Sequence, residues 1–315
     1  MDYTHEPVLL QECLDGLRIR PDGIYLDGTL GRAGHAREIA KRLTTGRLIC
    51  IDRDQAALDA APERLAGYLD RVTLIHGNFR DLSRILGELG LSGTDGMLFD
   101  LGVSSPQLDD GSRGFSYMQD APLDMRMDQG EGLTAWTVVN EWPYEELRRI
   151  LYEYGEERYA PAIASAIVRR REKQPIQTTL ELVDVVRSAM PAAALREKQH
   201  PAKRTFQAVR IAVNDELNAL SDLMGAAIEG LNPGGRLAVI SFHSLEDRIV
   251  KQSLAAAVKG CTCPPDFPVC VCGKKPQVRL TPRKAIQPGE AELARNPRAR
   301  SARLRIAEKL RNHTD

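Results

Sequence analysis

Short apolar segments alternate with helical patterns through the first part of the chain, and this alternation limits the fold more than any other feature. Four segments have the length and apolar content of buried strands: Ile24–Asp27, Arg47–Asp52, Val72–Ile75 and Gly96–Asp100. Helical spacing of apolar residues separates them at Ala33–Leu43, Gln55–Leu65 and Asp81–Leu89. Such alternation predicts βαβ units and a parallel sheet, in which ligands bind beyond the carboxyl ends of the strands.

The alternation stops after Asp100. Residues 102–129 are rich in Gly, Ser, Pro and Asp, which predicts a long functional loop. Helical patterns follow with no strand between them, at Tyr144–Tyr154, Ala160–Lys173, Thr179–Ala189 and about Thr205–Leu231. The helix breakers Asn232–Gly235 then precede a core strand at Arg236–Ser241. The sequence therefore predicts an α/β core, residues 1–106 and 206–315, interrupted by an all-helical domain at 107–205.

A glycine-rich turn, Asp27–His35, connects the first predicted strand to the first helix. Its glycines permit a tight turn and a close approach of a cofactor, and the helix start offers free N–H donors. Such a turn equally fits an ordinary strand-to-helix connection. Asp27, however, ends the strand, and a carboxylate there suits a cofactor that carries ammonium and sulfonium groups better than it suits a pyrophosphate.

The next two strands also end in polar or aromatic residues. Asp52 ends the second strand, where a carboxylate can accept hydrogen bonds from both ribose hydroxyls. Asn78 and Phe79 follow the third strand, where an amide and a ring could hold adenine. Each residue alone also fits loop polarity or core packing. Together, at successive strand ends, they favour a cofactor site.

The fourth strand ends at Asp100, and the loop after it is the predicted reaction site. Methyl transfer from a sulfonium is an in-line displacement that needs an aligned nucleophile more than strong base chemistry. If the nucleophile is the exocyclic amine of a base, Asp100 could accept its hydrogen bond, orient it and favour attack. A turn or helix-capping carboxylate is the alternative.

His243 follows the fifth predicted strand, at the same edge as Asp100. It could contact a phosphate or base, or accept a proton near neutral pH. The alternative is a packing role beside a helix that Ser244 caps, with Asp247 completing a capping box.

Four of the six cysteines lie together in a Pro-rich segment: Cys261, Cys263, Cys270 and Cys272. Four thiolates so close in sequence can form a tetrahedral zinc site, which would order a loop with no core of its own. The usual zinc spacing is C-x-x-C, so reduced, metal-free cysteines are an equal alternative. Cys13 and Cys50 are isolated, and the pattern indicates no disulfide framework.

Positive and negative side chains balance, with 43 Lys and Arg against 43 Asp and Glu, so the net charge says little about partners. Two segments, 196–210 and 279–311, are basic, which suits an anionic partner such as nucleic acid. A solvated, salt-bridged face is the alternative. The sequence shows no signal peptide and no apolar run of membrane-spanning length, so we expect a cytoplasmic protein.

Ten stretches of the chain, in order, carry a family resemblance: His5–Leu10, Asp27–His35, Ile51–Asp54, Asp100–Asp110, Arg113–Ser116, Pro122–Met127, Tyr154–Arg158, Arg204–Ile211, Ser241–Val250 and Asn296–Ser301. They are distributed along nearly the whole length of the sequence. In these stretches the chain closely resembles the bacterial 16S ribosomal RNA cytosine-N(4) methyltransferases, the MraW family.

The resemblance implies an α/β fold: a class I (Rossmann-like) S-adenosylmethionine-dependent methyltransferase core with an inserted all-helical domain for substrate recognition. It implies methylation of the exocyclic N(4) amine of one cytidine in the decoding region of 16S rRNA. The partner would be 16S rRNA or the small ribosomal subunit, with no membrane and no DNA expected. It leaves the oligomeric state open, a homodimer included.

The cofactor contacts that the resemblance implies are Ala33, Gly34, His35, Asp52, Phe79, Asp100 and Gln107. The resemblance favours Phe79 over Asn78 beside adenine, and it adds Gln107, which reasoning from strand ends does not select. For the reaction, we expect Asp100 to orient the amine, assisted by Ser104, Ser105 or His243.

The chain departs from related patterns in two places. Family members commonly have Gly-Gly-His where this chain has Ala33–His35, a small change that we do not expect to weaken cofactor binding. The loop after Asp100 lacks the Asp/Asn-Pro-Pro-aromatic sequence of many other amino-group methyltransferases, so this loop offers no aromatic residue to stack on the target base. An aromatic residue such as Phe115 or Phe242 could take that place.

Three other functions stay open at this point. A nicotinamide-dependent oxidoreductase fits Asp52, but the turn is G-x-x-G-x-x-G rather than G-x-G-x-x-G, and Asp27 would repel a pyrophosphate. The others are a non-catalytic RNA-binding protein and a methyltransferase that acts on DNA or protein.

Overall fold

The computed structural model describes residues 7–264, 267–269 and 271–311. Its strands are β1 Ile24–Asp27, β2 Arg47–Asp52, β3 Val72–His76, β4 Thr94–Asp100, β5 Leu231–Ser241, β6 Val278–Leu280 and β7 Arg303–Lys309. Within the described residues these form one seven-stranded sheet in the order β3-β2-β1-β4-β5-β7-β6.

The helices surround this sheet or form the inserted unit. They are α1 Leu10–Leu17, α2 Gly34–Ala40, α3 Gln55–Arg64, α4 Leu82–Glu88, α5 Ser105–Asp109, α6 Ala135–Glu141, α7 Tyr144–Glu153, α8 Ala160–Arg171, α9 Thr179–Ala189, α10 Ala192–Leu195, α11 Lys203–Asn214, α12 Glu216–Glu229, α13 Ser244–Lys259 and α14 Glu290–Arg295. Short 3-10 turns lie at Leu69–Arg71, Phe79–Asp81, Gly111–Arg113 and Pro297–Ser301.

The strand order reverses at β1. On one side β1 pairs in parallel with β2, and β2 with β3; on the other side β1 pairs in parallel with β4, and β4 with β5. The antiparallel strands β7 and β6 complete that side. The predicted α/β fold is confirmed, and the carboxyl ends of β1 and β4 flank the crevice at which open α/β sheets bind ligands.

Helices cover both faces of the sheet. One apolar cluster packs α1, α2 and α3 on the sheet, and includes Leu14, Ile39 and Leu58. The other packs α4, α12 and α13 on the opposite face, and includes Leu223 and Val250. Because the central strands are buried on both faces, their sequences are continuous apolar runs, and this is why the sequence reveals them.

The chain folds as two compact units. The α/β unit comprises the described residues up to Gly102 and from Leu217 onward, and the helical unit is Val103–Glu216. The sequence places these boundaries at 106/107 and 205/206 instead. The second boundary differs because α11 packs on α6 and α7, with Phe206 and Val209 in the apolar cluster of the helical unit.

The single helix that the sequence predicts over Thr205–Leu231 is wrong, because the chain turns at Asp215, whose φ of +49° is left-handed. Asn214, directly before this turn, is 1% exposed. Its side chain accepts the N–H of Met127 and donates to the carbonyl of Met125, both at 2.8 Å. These bonds hold the end of α11, and helical periodicity does not show them.

The start of β5 also differs from the sequence expectation, which places helix breakers at Asn232–Gly235 before the strand. The structure begins β5 at Leu231, which pairs with Thr94, and the next paired residues are Arg236 and Gly96. The pairing with β4 is therefore irregular over the breakers, since Pro and Gly interrupt regular ladders and mark bulges.

Strand β7 lies inside the basic segment 279–311, where the sequence analysis predicts no strand. Leu304 and Ile306 are buried in the core, whereas Arg305 between them pairs with Asp247 at 2.8 Å. The strand periodicity is present but is obscured by the charged side chains. Part of the basic segment is thus salt-bridged within the protein.

We predict that Asn214→Ala destabilises the protein by about 2–3 kcal/mol, because it leaves the buried N–H of Met127 and carbonyl of Met125 without their partner. Urea unfolding monitored by circular dichroism measures this. Gln252→Ala, at an exposed position of α13, is the control and should change stability by less than about 0.5 kcal/mol. Equal effects of the two substitutions would contradict the role of Asn214.

Candidate active site

Three neighbouring strands each end in an aspartate at the same edge of the sheet. Asp52 ends β2, Asp27 ends β1 and Asp100 ends β4. Since β1 is the strand at which the order reverses, ligands of open α/β sheets bind at this edge. Three carboxyl groups side by side favour a cationic ligand and disfavour a pyrophosphate.

The turn from β1 to α2 favours small residues at three positions, Gly28, Gly31 and Ala33. A Cβ atom on Gly28 would overlap the ring of Phe99. Gly31 has a φ of +49° and Ala33 a φ of +56°, in the left-handed region. That conformation costs an L-residue about 1–2 kcal/mol, so glycine is favoured there, and alanine is the smallest side chain that can replace it.

Asp27 is 1% exposed and lies under this turn. Its Oδ1 accepts the N–H of Thr29 at 3.1 Å, and a backbone hydrogen bond from Ala36 also reaches the carboxyl group. Burial, followed by repulsion from the Asp52 carboxylate, raises the pKa of Asp27 to about 7. The charged form is therefore costly in the free protein and would be favoured by a bound cation.

Asp52 connects two turns. Its Oδ2 accepts the N–H of Gly31 and its Oδ1 the N–H of Asp54, both at 2.8 Å. Burial raises the pKa of Asp52, while these two amides act in the opposite direction. The carboxyl group keeps partial exposure at the strand end, where the sequence predicts contact with a ribose.

Phe79 begins the 3-10 turn after β3. Its ring meets the ring of Phe99 edge to face, with centroids 6.0 Å apart and planes at 77°. Asn78 caps the same turn, since its side-chain oxygen accepts the N–H of Arg80 at 3.1 Å. The half-buried ring of Phe79 is thus the better candidate for contact with adenine, because the Asn78 oxygen already serves the backbone.

Asp100 has the geometry of a group that awaits a ligand. Its side chain is 26% exposed, and within the described part of the chain its buried Oδ1 has no hydrogen-bond partner. Its N–H donates to Oγ1 of Thr29 at 2.6 Å, which fixes the strand end. Burial, and then the carboxylates of Asp27 and Glu246, raise the pKa of Asp100 to about 8. A perturbed carboxyl group with an unsatisfied oxygen at a ligand-binding edge is a candidate functional group.

His35 lies next to Asp100. Its Nε2 is 3.0 Å from the carbonyl oxygen of Val8, to which it donates, and its Nδ1 is 4.0 Å from Oδ2 of Asp100. Burial lowers the pKa of His35 to about 4. The ring is therefore neutral at neutral pH, so His35 does not supply a positive charge to the Asp100 carboxylate.

His243, at the end of β5, is the N-cap residue of α13. Its Nδ1 accepts the N–H of Glu246 at 3.4 Å, and Oε2 of Glu246 accepts the N–H groups of Phe242 at 2.8 Å and His243 at 3.3 Å. The expected capping box with Ser244 and Asp247 is therefore wrong by one residue. The sequence analysis missed Glu246, whose only signal is its position three residues after a polar residue that follows a strand.

The remaining predicted residues lie in the helical unit, at the start of α5. The N–H of Ser104 donates to Oε1 of Gln107 at 2.9 Å, which fixes the first turn; Ser105 is the first residue of the helix. Gln107 is 5% exposed. Phe115 is buried in the apolar cluster of this unit, whereas Phe242 of the α/β unit is half-buried and is the more accessible ring.

Three of the four cysteines predicted as zinc ligands come together. The Sγ atoms of Cys261, Cys263 and Cys272 all lie within 4.8 Å of one another. Cys270 lies outside the described residues. Cys13 and Cys50 are buried in the α/β unit, where burial raises the pKa of their thiols.

A sequence model of the MraW methylase family matches residues 2–310. The chain belongs to this family. It is therefore a methyltransferase that uses S-adenosylmethionine, and the predicted family, enzyme class and cofactor are confirmed. Among the described residues no helix is long and apolar enough to cross a membrane.

Individual relatives of the family match along their whole length. Ribosomal RNA small subunit methyltransferase H of Brevibacillus brevis is 60% identical over 311 residues, which cover 98% of this chain and 99% of the relative. The protein of the same name from Heliobacterium modesticaldum is 56% identical over 313 residues, covering 99% and 100%. The crystal structure of an rRNA methylase from Streptococcus thermophilus aligns with a TM-score of 0.42 and 11% identity, over 96% of this chain and 93% of that chain.

We predict that Gly28→Ala destabilises the protein by about 1–3 kcal/mol, because the added methyl group must displace the buried ring of Phe99. It should also weaken S-adenosylmethionine binding, since Phe99 packs on Phe79. Unfolding in urea and calorimetric titration measure the two effects.

Gly87→Ala is the control: nothing lies near its Cβ position in α4, and it should stabilise the protein by up to about 1 kcal/mol. Wild-type stability of Gly28→Ala would contradict the packing.

A second prediction concerns the charge on Asp100. The pKa of Asp100 is about 8 in the folded protein. Between about pH 4 and pH 8 the carboxyl group is therefore mostly protonated in the folded protein and mostly ionised in the unfolded chain. This group's contribution to stability is full below its unfolded pKa of about 4 and is lost as pH rises through about 8. Asp100→Asn carries no charge, so the variant should gain stability relative to wild type between about pH 5 and pH 9. Urea unfolding of the protein without cofactor measures this, and parallel pH profiles would contradict it.

Proposed function

We propose that this chain transfers a methyl group from S-adenosylmethionine to the exocyclic N(4) amine of a cytidine in small-subunit ribosomal RNA, and that it does so in the cytoplasm. The observation that carries the proposal is Asp100: a partly exposed carboxyl group with an unpartnered oxygen at the carboxyl end of β4, in a chain of the MraW methylase family. The relatives named as ribosomal RNA small subunit methyltransferases support the substrate class.

The residues present fit the cofactor. S-adenosylmethionine supplies an electrophilic methyl group on a sulfonium and carries a second positive charge on its ammonium. Asp27 and Asp100, with pKa values raised to about 7 and 8, would both be ionised by a nearby cation. The turn at Ala33–His35 would hold the amino-acid portion, and Asp52 and Phe79 the adenosine. Gln107 stays a predicted cofactor contact that rests on the family resemblance.

Asp100 would then orient the nucleophile. S-adenosylmethionine would supply the methyl group: as the amine nitrogen bonds to the methyl carbon, the carbon–sulfur bond would break and its electron pair would stay on sulfur. The amine loses one proton in the process. The carboxylate of Asp100 accepts the hydrogen bond of the amine before attack, and its raised pKa suits it to receive that proton and pass it to solvent.

Ser104, Ser105 and His243 are proposed as secondary groups. His243 is engaged in the cap of α13 and is held at the end of β5, the strand next to Asp100. It would hold the end of β5 and the start of α13 beside Asp100. Ser104 and Ser105 would contact the substrate from the start of α5.

Exposed basic residues of segment 279–311 would hold the RNA backbone. Arg283, Lys284 and Arg300 are exposed, in contrast to Arg305, which pairs with Asp247. Contacts of this kind release counterions, so RNA binding would weaken steeply with salt. The target cytidine would have to leave its local stack to reach the methyl group.

We predict that Asp100→Ala lowers the rate of methyl transfer at saturating cofactor by at least about 100-fold, because the amine loses its acceptor. The assay uses small ribosomal subunits, and separately free rRNA, from cells that lack this enzyme, and mass spectrometry of nucleosides after digestion. Wild type should produce N(4)-methylcytidine. Asp59→Ala, at an exposed position of α3, is the control and should keep wild-type activity.

The assay separates the parts of the proposal. Near wild-type turnover of Asp100→Ala would remove Asp100 from the mechanism without affecting the substrate. Formation of 5-methylcytidine or N(6)-methyladenosine by wild type would contradict the target atom. Binding of S-adenosylmethionine without transfer to either form of the rRNA would contradict the substrate.

A further inference from the structure

Two short Cys-x-Cys segments, each in the connection between α13 and β6, bring three thiols to one point. The Sγ atoms of Cys261, Cys263 and Cys272 all lie within 4.8 Å of one another, although Cys261 and Cys272 are eleven positions apart in the sequence. These cysteines are far in sequence from the strand ends that form the candidate active site, and nothing in methyl transfer requires them.

The sulfur spacing matches that of a metal site. Sγ of Cys261 and Sγ of Cys272 are 3.7 Å apart. Two thiolates bound tetrahedrally to one Zn²⁺, at about 2.3 Å each, lie about 3.8 Å from one another. A disulfide would need a separation of about 2.05 Å. The observed distance therefore suits a shared ion.

Backbone amides of the two segments point at the sulfur atoms. The N–H of Thr262 donates to Sγ of Cys272, and the N–H of Val271 donates to Sγ of Cys263, both at 3.4 Å. The bonds are reciprocal: each segment supplies an amide to a sulfur of the other. Hydrogen bonds to a ligand atom favour its charged form and orient it, which is how surrounding groups support metal ligands.

The loop that carries these cysteines has a fixed base, and none of its described residues from 260 to 277 is buried. At the base, the N–H of Gln277 donates to the carbonyl of Ala257 at 2.8 Å. Beyond it, Phe267, Val269 and Val271 are all more than half exposed. Because apolar packing does not order the loop, a metal that links its two ends would supply the missing stabilisation.

We propose that Cys261, Cys263 and Cys272 bind a structural Zn²⁺ that joins the two ends of this loop. Zinc prefers sulfur ligands in tetrahedral geometry, and three thiolates leave one position for a further ligand. The proposal does not depend on the proposed function.

The test measures zinc in the full-length protein without an affinity tag, purified under reducing conditions without chelator. Elemental analysis by mass spectrometry should find about one zinc per chain in wild type. Cys261→Ser and Cys263→Ser should each reduce it to a small fraction. Cys50→Ala, which removes a buried thiol of the core, is the matched control and should retain zinc. Less than about a tenth of an equivalent in wild type, or full zinc in both serine variants, would overturn the proposal.

Two further measurements keep the test informative if a variant folds poorly. Cobalt added to metal-free wild type should give thiolate charge-transfer and tetrahedral ligand-field bands; a spectrum of octahedral cobalt would overturn the proposal. Removal of zinc with a chelator should also speed tryptic cleavage after the exposed Lys274. An unchanged cleavage rate would contradict a structural role for the ion.

Discussion

The proximity of three carboxyl groups at one edge of the sheet is the constraint on which the site depends. Asp27, Asp52 and Asp100 end neighbouring parallel strands, and their backbones cannot separate without breaking the sheet. Burial and mutual repulsion raise the pKa values of Asp27 and Asp100 to about 7 and 8. The free protein thus holds an electrostatic cost that a cationic cofactor bound at this edge would remove, and binding at this edge would be coupled to release of protons.

The turn after β1 distinguishes this site from one for a dinucleotide. In a phosphate-binding turn the backbone amides point at the ligand. Here the amide of Thr29 donates to Asp27, and the amide of Gly31 donates to Asp52. These two amides of the turn therefore donate to the protein's own carboxyl groups instead of to a ligand. A pyrophosphate at this position would also be repelled by the negative charge of those carboxylates. The same glycine-rich pattern thus supports an opposite ligand preference, decided by the acid that ends each strand.

The sequence reveals the strand ends because each central strand is an apolar run, buried on both faces, that stops at a polar residue. It does not reveal interactions between distant segments. The break before α12 depends on bonds of Asn214 to residues about 90 positions earlier, and the strand β7 is obscured by arginines that pair with acids elsewhere. The cap of α13 is displaced by one residue because a His–Glu pair and a Ser–Asp pair both fit the capping pattern, and only packing chooses between them.

The cap of α13 also contributes to the chemistry at Asp100. Glu246 is buried because it accepts the amides of Phe242 and His243, which start the helix. The same negative charge raises the pKa of Asp100 on the neighbouring strand. His35 does not offset this charge, since burial keeps its ring neutral. Groups that stabilise the fold locally therefore set the proton affinity of the candidate catalytic carboxyl group. Burial is the largest cause of the raised pKa of Asp100, followed by the charge of Asp27, and the charge of Glu246 adds to both.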